Sequence, residues 1–341
     1  MLVTKQPVLR RFWYPVMPSS RLGDEPVPFT LLGCDIVLWR GSGGEIGCLQ
    51  DRCCHRTAKL SLGFVEGDRL VCGYHGWNYR SDGVCVRIPQ RENPENVTGV
   101  RVQSYRVAER YAYIWIALDE PLTDIPEFPE AEESGFRQVH QFYEPWQIGA
   151  FRLMENSFDA AHIAFVHRKT FGNAEQPRTD GHRDLKETSY GFEAYNESRV
   201  KVRGEVAHRA VYTNSSDTVR RSHSTWYMPF VRRLQINYPH GLIHSIVTCA
   251  TPMTDRTSMI LQWVYRNDTE ADVSSADVVA FDRAVTLEDQ RILESCDPDV
   301  PLSDRDGEEM HMHTDHPGVV MRRMFSRLLA EHGETEHRTI G

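Results

Sequence analysis

The chain has 341 residues, 40% hydrophobic and 26% charged, with eight cysteines and a formal net charge of −9. That length suits two domains with packed cores, and the composition is that of a globular protein. The acidic balance speaks against a general nucleic-acid binder, which needs a basic surplus against phosphate, and no apolar run reaches the roughly 18 residues of a membrane span. The opening residues carry neither the apolar core nor the cleavage site of a signal peptide, so a cytoplasmic protein is expected. In that compartment cysteines serve as thiols or metal ligands more readily than as disulfides.

In chain order, the first third reads as short strands. PFTLLGCDIVLWR and GEIGCLQD flank a Gly-Ser-Gly-Gly turn, and LVCGYHGWNY and VCVRIP flank RSDG, both hairpin patterns. YRVAERYAYIWIAL alternates as a half-buried strand does. The acidic, proline-bearing stretch DEPLTDIPEFPEAEESG is a candidate linker. WQIGAFRLMENSFDAAHIAFVH then looks helical, followed by strand-like runs: SRVKVRGEVAHRAVY, STWYMPFVRRLQINYP, LIHSIVTCATPM and TSMILQWVYR. SSADVVAFDRAVTLEDQRILESC returns to helix, with Ser-Ser-Ala-Asp resembling a capping box, and PGVVMRRMFSRLLAEHG forms the last helix. The domains expected are 1–120 and 121–341.

Chemistry concentrates first in residues 51–79. Cys53-x-His55 and, after sixteen residues, Cys72-x-x-His75 offer two thiols and two imidazoles from two tight loops. Zinc accepts such a set, but its fingers usually pair cysteine with cysteine and histidine with histidine. One of each per loop suits a two-iron cluster in which one iron takes both cysteines and the other both histidines. The stretch, continued by YHGW, resembles the Rieske [2Fe-2S] motif. That resemblance implies Cys53 and Cys72 on one iron, His55 and His75 on the other. Cys54 would break the Cys-x-His spacing and is expected as a packed thiol. Tyr74 and Trp77 are core aromatics or supports of the cluster.

The second concentration is Asp159-x-x-His162-x4-His167. Positions three apart share a helix face, so Asp159 can lie beside His162. Positions five apart do not, so the two histidines converge only if the helix breaks or widens between them. Two imidazoles and a carboxylate make the facial triad of a non-haem Fe(II) oxygenase. On the helix after residue 274 an apolar stripe runs through Val278, Phe281, Val285, Ile292 and Cys296. Asp289 falls about 30° from the centre of that stripe and Glu288 roughly twice as far. A carboxylate on a buried face is costly unless a cation binds it, which makes Asp289 the expected third ligand and Glu288 the fallback.

With both sites, ENSFDAAH and LEDQRIL included, the whole chain resembles the oxygenase component of the Rieske non-haem iron oxygenases. FWYPV and DRCCHRTAKLSLG look most like the single-subunit-type branch of N- and O-demethylases and hydroxylases. The resemblance implies an α+β fold, an all-β Rieske domain followed by a catalytic domain whose antiparallel sheet is wrapped by helices in a helix-grip arrangement. It implies a [2Fe-2S] cluster, a mononuclear Fe(II), O2 as co-substrate and a small aromatic or heterocyclic substrate. Electrons would come from an NAD(P)H-dependent reductase, with or without a ferredoxin, since GSGGEIG is not a dinucleotide fingerprint. It also implies a head-to-tail homotrimer in which Asp159 bridges His162 and His75 of the partner subunit. Asn156 matches a polar residue near the catalytic iron.

Three readings compete with parts of this one. An electron-transfer protein would share the Rieske loops but have no use for Asp159, His162, His167 and Asp289. A zinc-stabilised ligand-binding module would use the same thiols without redox chemistry. HMHTDH, residues 311–316, invites a third metal site but reads better as surface histidines, and the C-terminal GETEH as a solvated, frayed end.

Overall fold

The computed structural model describes every residue except 180, 212, 214, 304–306, 340 and 341, and at 183 the backbone alone. The chain forms two compact units, Leu9–Ile125 and Pro126–Gly341 with Met1–Val8. The sequence groups residues 1–8 with the first domain. In the structure Thr4 donates to Asp255 from its N–H and hydroxyl (2.9 and 2.7 Å), and the Val8 N–H donates to Glu334 (2.8 Å). No helix among the described residues is long and apolar enough to cross a membrane.

The unit Leu9–Ile125 holds ten strands: β1 Tyr14–Pro18, β2 Val27–Leu31, β3 Cys34–Arg40, β4 Ile46–Gln50, β5 Phe64–Glu66, β6 Arg69–Val71, β7 Asn78–Tyr79, β8 Cys85–Arg87, β9 Arg106–Arg110 and β10 Tyr113–Ala117. They form three antiparallel sheets, β1-β10-β9, β2-β3-β4 and β5-β6-β7-β8. Both hairpins read from turn chemistry are present, β3 pairing with β4 and β7 with β8. A core of Val37, Trp39, Leu49, Leu60, Leu70 and Tyr79 packs around Cys53 and Cys72.

In the other unit, β11 Arg137–Trp146 precedes the helices α1 Ala150–Phe158 and α2 Ile163–Val166. After them come β12 Arg183–Thr188, β13 Gly191–Lys201, α3 Glu205–Ala210, β14 Asp217–Tyr227, β15 Val231–Asn237, β16 Ile243–Pro252, β17 Ser258–Arg266, α4 Ser275–Leu293 and α5 His316–Glu331. The seven strands make one antiparallel sheet, ordered β11-β17-β16-β15-β14-β13-β12. Helix α4 packs on β11 and α3, and α1 on α5 and β16. Every residue of β17 is buried, so TSMILQWVYR shows no alternation: both sheet faces are covered. The α+β architecture implied by the family resemblance is the one observed.

Several local expectations give way to tertiary context. The strand-like run from residue 198 ends at Lys201. Gly204, at φ +82°, turns the chain into α3, whose Ala207 and Ala210 are buried (residue 212, at the end of that run, lies outside the described residues). STWYMPFVRRLQINYP is two strands, because the Met228-Pro229 peptide turns the chain between β14 and β15. The proline-bearing linker is held rather than free: Phe128 packs edge-on to Trp263, and buried Glu130 takes two hydrogen bonds from Arg233 Nε at 3.0 and 3.1 Å. The GETEH end is likewise tied down, Glu336 accepting from the Leu302 N–H at 3.0 Å and Glu334 from Val8. Ser274 caps α4 as expected, accepting from the Asp277 N–H. The stripe on that helix stops short, however. Ile292 is 49% exposed and Cys296 is also exposed, while Leu293 turns inward because the helix ends there.

Candidate metal centres

In the unit Leu9–Ile125, two loops present the first set. The loop before β5 is shaped by Asp51, buried, which accepts from the Ser61 N–H (2.7 Å) and hydroxyl (2.6 Å). Thr57 adopts φ +60° there, unusual for a branched residue, so that its N–H reaches the Cys53 carbonyl at 3.0 Å. In the loop between β6 and β7, Gly76 at φ +71° reverses the chain and its N–H reaches the Cys72 carbonyl at 2.9 Å. The result sorts the ligand types. Cys53 and Cys72 are 2% and 1% exposed, as free thiols. His55 and His75 sit half-buried with ring centroids 4.5 Å apart.

Trp77 stacks on His55 with the rings 4.5 Å apart and 2° from parallel, and Tyr74, 65% exposed, lies against His75 at 3.8 Å. His55 Nδ1 is buried without a hydrogen-bond partner. Two inner thiols, two outer imidazoles and an orphaned ring nitrogen fit a cluster with sulfur ligands on one iron and nitrogen ligands on the other. The hydroxyl that reaches this site is one the sequence did not single out: Tyr79, buried, lies 3.1 Å from Cys53 Sγ and 3.3 Å from Cys54 Sγ. Cys54, expected as a packed thiol, is exposed apart from that contact, since its neighbour Cys53 takes the inward position.

The second set is built where α1 ends. Asp159 leaves the helix at φ −81°, ψ 124°, and its carboxylate accepts from the N–H groups of Ala161 (2.6 Å) and His162 (3.3 Å), so it caps the next turn. The break therefore falls before His162, not between the two histidines as the spacing suggested. His162 and His167 flank the single turn of α2. Below it the chain widens: the His167 carbonyl accepts from Phe171 (3.0 Å) and Gly172 (2.7 Å). A side chain at Gly172 would meet the Ile163 carbonyl at 2.2 Å, so only glycine fits.

Across from this turn α4 delivers Asp289. His162 Nε2 and His167 Nε2 are 3.2 Å apart, and Asp289 Oδ1 is 3.5 and 3.4 Å from them. All three ligand atoms lie within 4.8 Å of one another, the one such group among the described residues. Burial pushes the Asp289 carboxyl up, and its Oδ1 has no hydrogen-bond donor. Burial, then the neighbouring His162, hold His167 down to about 3. Two imidazoles and an unsatisfied carboxylate oxygen aimed at one point form a site that a divalent cation completes.

Glu288, the fallback, faces away from that focus. Its Oε2 is 3.0 Å from His167 Nδ1 and accepts from the Thr170 hydroxyl at 2.9 Å, which fixes the ring's tautomer and aim. Asp159 Oδ2 stands 3.4 Å from His162 Nδ1. Asn156 lies against Asp289. The site opens on a cavity of about 570 Å³ whose wall includes Leu153, Phe171, Ile236, Thr248 and Gln262. Also on its wall, His244 Nε2 is 3.1 Å from the buried carboxylate of Asp282, two turns before Asp289 on α4. The histidines of residues 311–316 join none of this; His313 and His316 are exposed at the start of α5.

Comparison with known proteins finds two matching domain families along the chain. The model of the Rieske [2Fe-2S] domain matches residues 12–106, and that of the vanillate O-demethylase oxygenase C-terminal domain matches residues 149–331. The chain is 30% identical to methylxanthine N1-demethylase NdmA of Pseudomonas putida over 96% of its own length and 91% of that protein's. The structure of NdmA with caffeine superposes with a TM-score of 0.81 at 28% identity, covering 96% of this chain and 93% of that one. Dicamba monooxygenase with 3,6-dichlorosalicylic acid shares the fold, with a TM-score of 0.81 at 21% identity over 96% and 99% of the two chains. Members of this family carry a Rieske cluster and a mononuclear iron and draw electrons from partner proteins. The chain belongs to the Rieske non-haem iron oxygenases, as an oxygenase component of their N-/O-demethylase branch.

Proposed function

We propose that this oxygenase removes a methyl group from nitrogen or oxygen of a small aromatic or heterocyclic compound. The observation that carries the reading is the convergence of His162, His167 and Asp289 on the wall of a cavity of about 570 Å³, large enough for one or two fused rings. Similarity to a methylxanthine N1-demethylase and to a vanillate O-demethylase domain supports oxidation at a methyl group. When bound, the cluster supplies electrons singly and the lone iron activates O2. Cys53, Cys72, His55 and His75 would hold the cluster; His162, His167 and Asp289 would hold the iron.

The chain's own contribution is positional. Glu288 accepts from His167 Nδ1, so the Nε2 lone pair faces the metal position. Asp159 turns the chain at the helix break and steadies His162. The cavity wall holds the substrate and keeps water from the oxidised carbon. For an O-methyl substrate the balance is R–O–CH3 + O2 + 2 electrons + 2 protons → R–OH + CH2O + H2O. The electrons come from an NAD(P)H-dependent reductase, directly or through a ferredoxin. We infer a homotrimeric, cytoplasmic enzyme in which Asp159 meets His75 of the partner subunit and couples the two centres.

The test is a coupled assay with a reductase, NADH and a panel of methoxylated and N-methylated aromatics. O2 uptake with matching formaldehyde is the expected result. Hydroxylated product with no formaldehyde from any methylated compound would overturn the demethylation reading.

A further inference from the structure

The cavity wall holds two arginines, Arg220 and Arg232, to which no carboxylate is bonded, although Asp289 is near enough to act on Arg232 through its charge. Arg220 and Arg232 lie on β14 and β15, whose register pairs Trp226 with Arg232 and Ser222 with Ile236. By the two-residue alternation of a strand they share one sheet face with Ser222 and Ile236, and all four line the cavity. Among the described residues neither guanidinium forms an ion pair or a hydrogen bond. Arg220 rests over Phe171 and Arg232 over Phe158, each 5.1 Å from the ring centroid, and Arg232 Nε is buried without a partner.

Arg220 and Arg232 are half-buried, whereas the fully buried arginines of the described residues each meet a carboxylate. Arg233, next on β15 but on the opposite face, is bonded to Glu130. Arg266 bonds Asp268 at 2.8 Å, and Arg322 bonds Glu155 at 2.6 Å. The acids bordering the cavity are already engaged: Asp282 with His244 and Gln141, Glu197 with Arg221, Asp159 with backbone N–H groups. Asp289 faces the two histidines, and a divalent cation there would leave that centre positive as well. Burial, and then the like charge of Arg220, lower the Arg232 guanidinium to about 9 against an opposing pull from Asp289, so it is still charged at neutral pH. A neutral substrate would leave this charge desolvated and unpaired, at a cost. A carboxylate would accept from its fork.

Building on the demethylation reading, we propose that the substrate is an organic anion, an aromatic carboxylate bearing the methyl group, and that Arg232 binds its carboxylate while Arg220 adds to the attracting field. This sets the pocket apart from one built for an uncharged purine.

The test compares 3- and 4-methoxybenzoate with their carboxamides, which match them in shape and lack the charge. Binding to the purified holoprotein is measured calorimetrically, without a reductase. The carboxylates should bind at least tenfold tighter than the carboxamides. Arg232→Gln should bring the ratio close to one, and Arg232→Lys should keep part of it, with cluster absorbance and unfolding midpoint confirming intact protein. The wild-type ratio decides even if the variants do not fold. Equal or tighter carboxamide binding, no carboxylate binding at millimolar concentration, or a ratio kept in folded Arg232→Gln overturns the proposal. Formaldehyde release separates the two inferences. If carboxylates and carboxamides release it equally, demethylation stands and the anion preference falls; a carboxylate preference with hydroxylation alone does the reverse.

Discussion

Asp159 performs two tasks within one turn of chain. Its carboxylate ends α1 by accepting from the N–H groups of Ala161 and His162, and the same oxygens stand beside the His162 ring. Asparagine keeps an oxygen for the backbone but loses the charge that steadies the His162 ring. Asp159→Asn is therefore expected to retain both metals while turnover falls roughly 100-fold; metal analysis and coupled O2 uptake read the two separately, and lost cluster colour would point to a structural role instead. Tyr79 acts on the other centre. A hydroxyl donating to a cluster sulfur withdraws electron density and favours the reduced state. Tyr79→Phe should lower the cluster's reduction potential by on the order of 60 mV, the one-electron equivalent of about 1.4 kcal/mol. Protein-film voltammetry measures it, and an unchanged potential would remove Tyr79 from the cluster's control. Cys-x-His and Cys-x-x-His were legible because each ligand pair lies within one loop. Tyr79 was not, since its partner lies 26 positions away and nothing local marks the contact.

Among the elements, α4 shows what helical periodicity can and cannot carry. The ~100° step placed Asp289 on the inward face correctly, because a regular helix fixes the angle between neighbours. It failed for Ile292 and Cys296, where the helix ends and Leu293 takes the inward position instead. The strand face that carries Arg220 and Arg232 was invisible for a different reason: which face of a strand lines a cavity depends on what covers the sheet. The helices α1 and α5 are joined by ionic contacts of the same nonlocal kind. Arg322 of α5 bonds Glu155 of α1 at 2.6 Å, and Arg152 of α1 bonds Glu309 at 2.7 Å. Burial opposes the charge of Glu309, but hydrogen bonds from Arg152 and Arg322 outweigh it and hold the carboxyl at about 2. The folded value lies below the ordinary ~4.3, so this stabilisation is complete above that pH and is lost as the pH falls toward about 2. Glu309→Gln should flatten the decline of the urea midpoint across that window. A variant with the wild-type acid slope would assign the loss to other groups.

For the whole molecule, the order of two metal motifs along one chain marks the family, and the α+β architecture follows from it. Packing alone decided how the segments between the motifs are held. Glu130 shows this: an acidic, proline-bearing stretch looks like a solvated linker until its partner Arg233, 103 positions on, is placed beside it. Taken together, the two motifs require that the polypeptide carry two chemically independent iron centres. The most direct measurement is iron, zinc and acid-labile sulfide analysis of protein purified without air, for the wild type and His162→Ala. Wild type should contain about three irons and two sulfides per chain, and His162→Ala about two irons with sulfide and visible spectrum intact. Zinc at either centre in the wild type, or loss of the cluster together with the mononuclear iron in the variant, would rule out two independent iron centres.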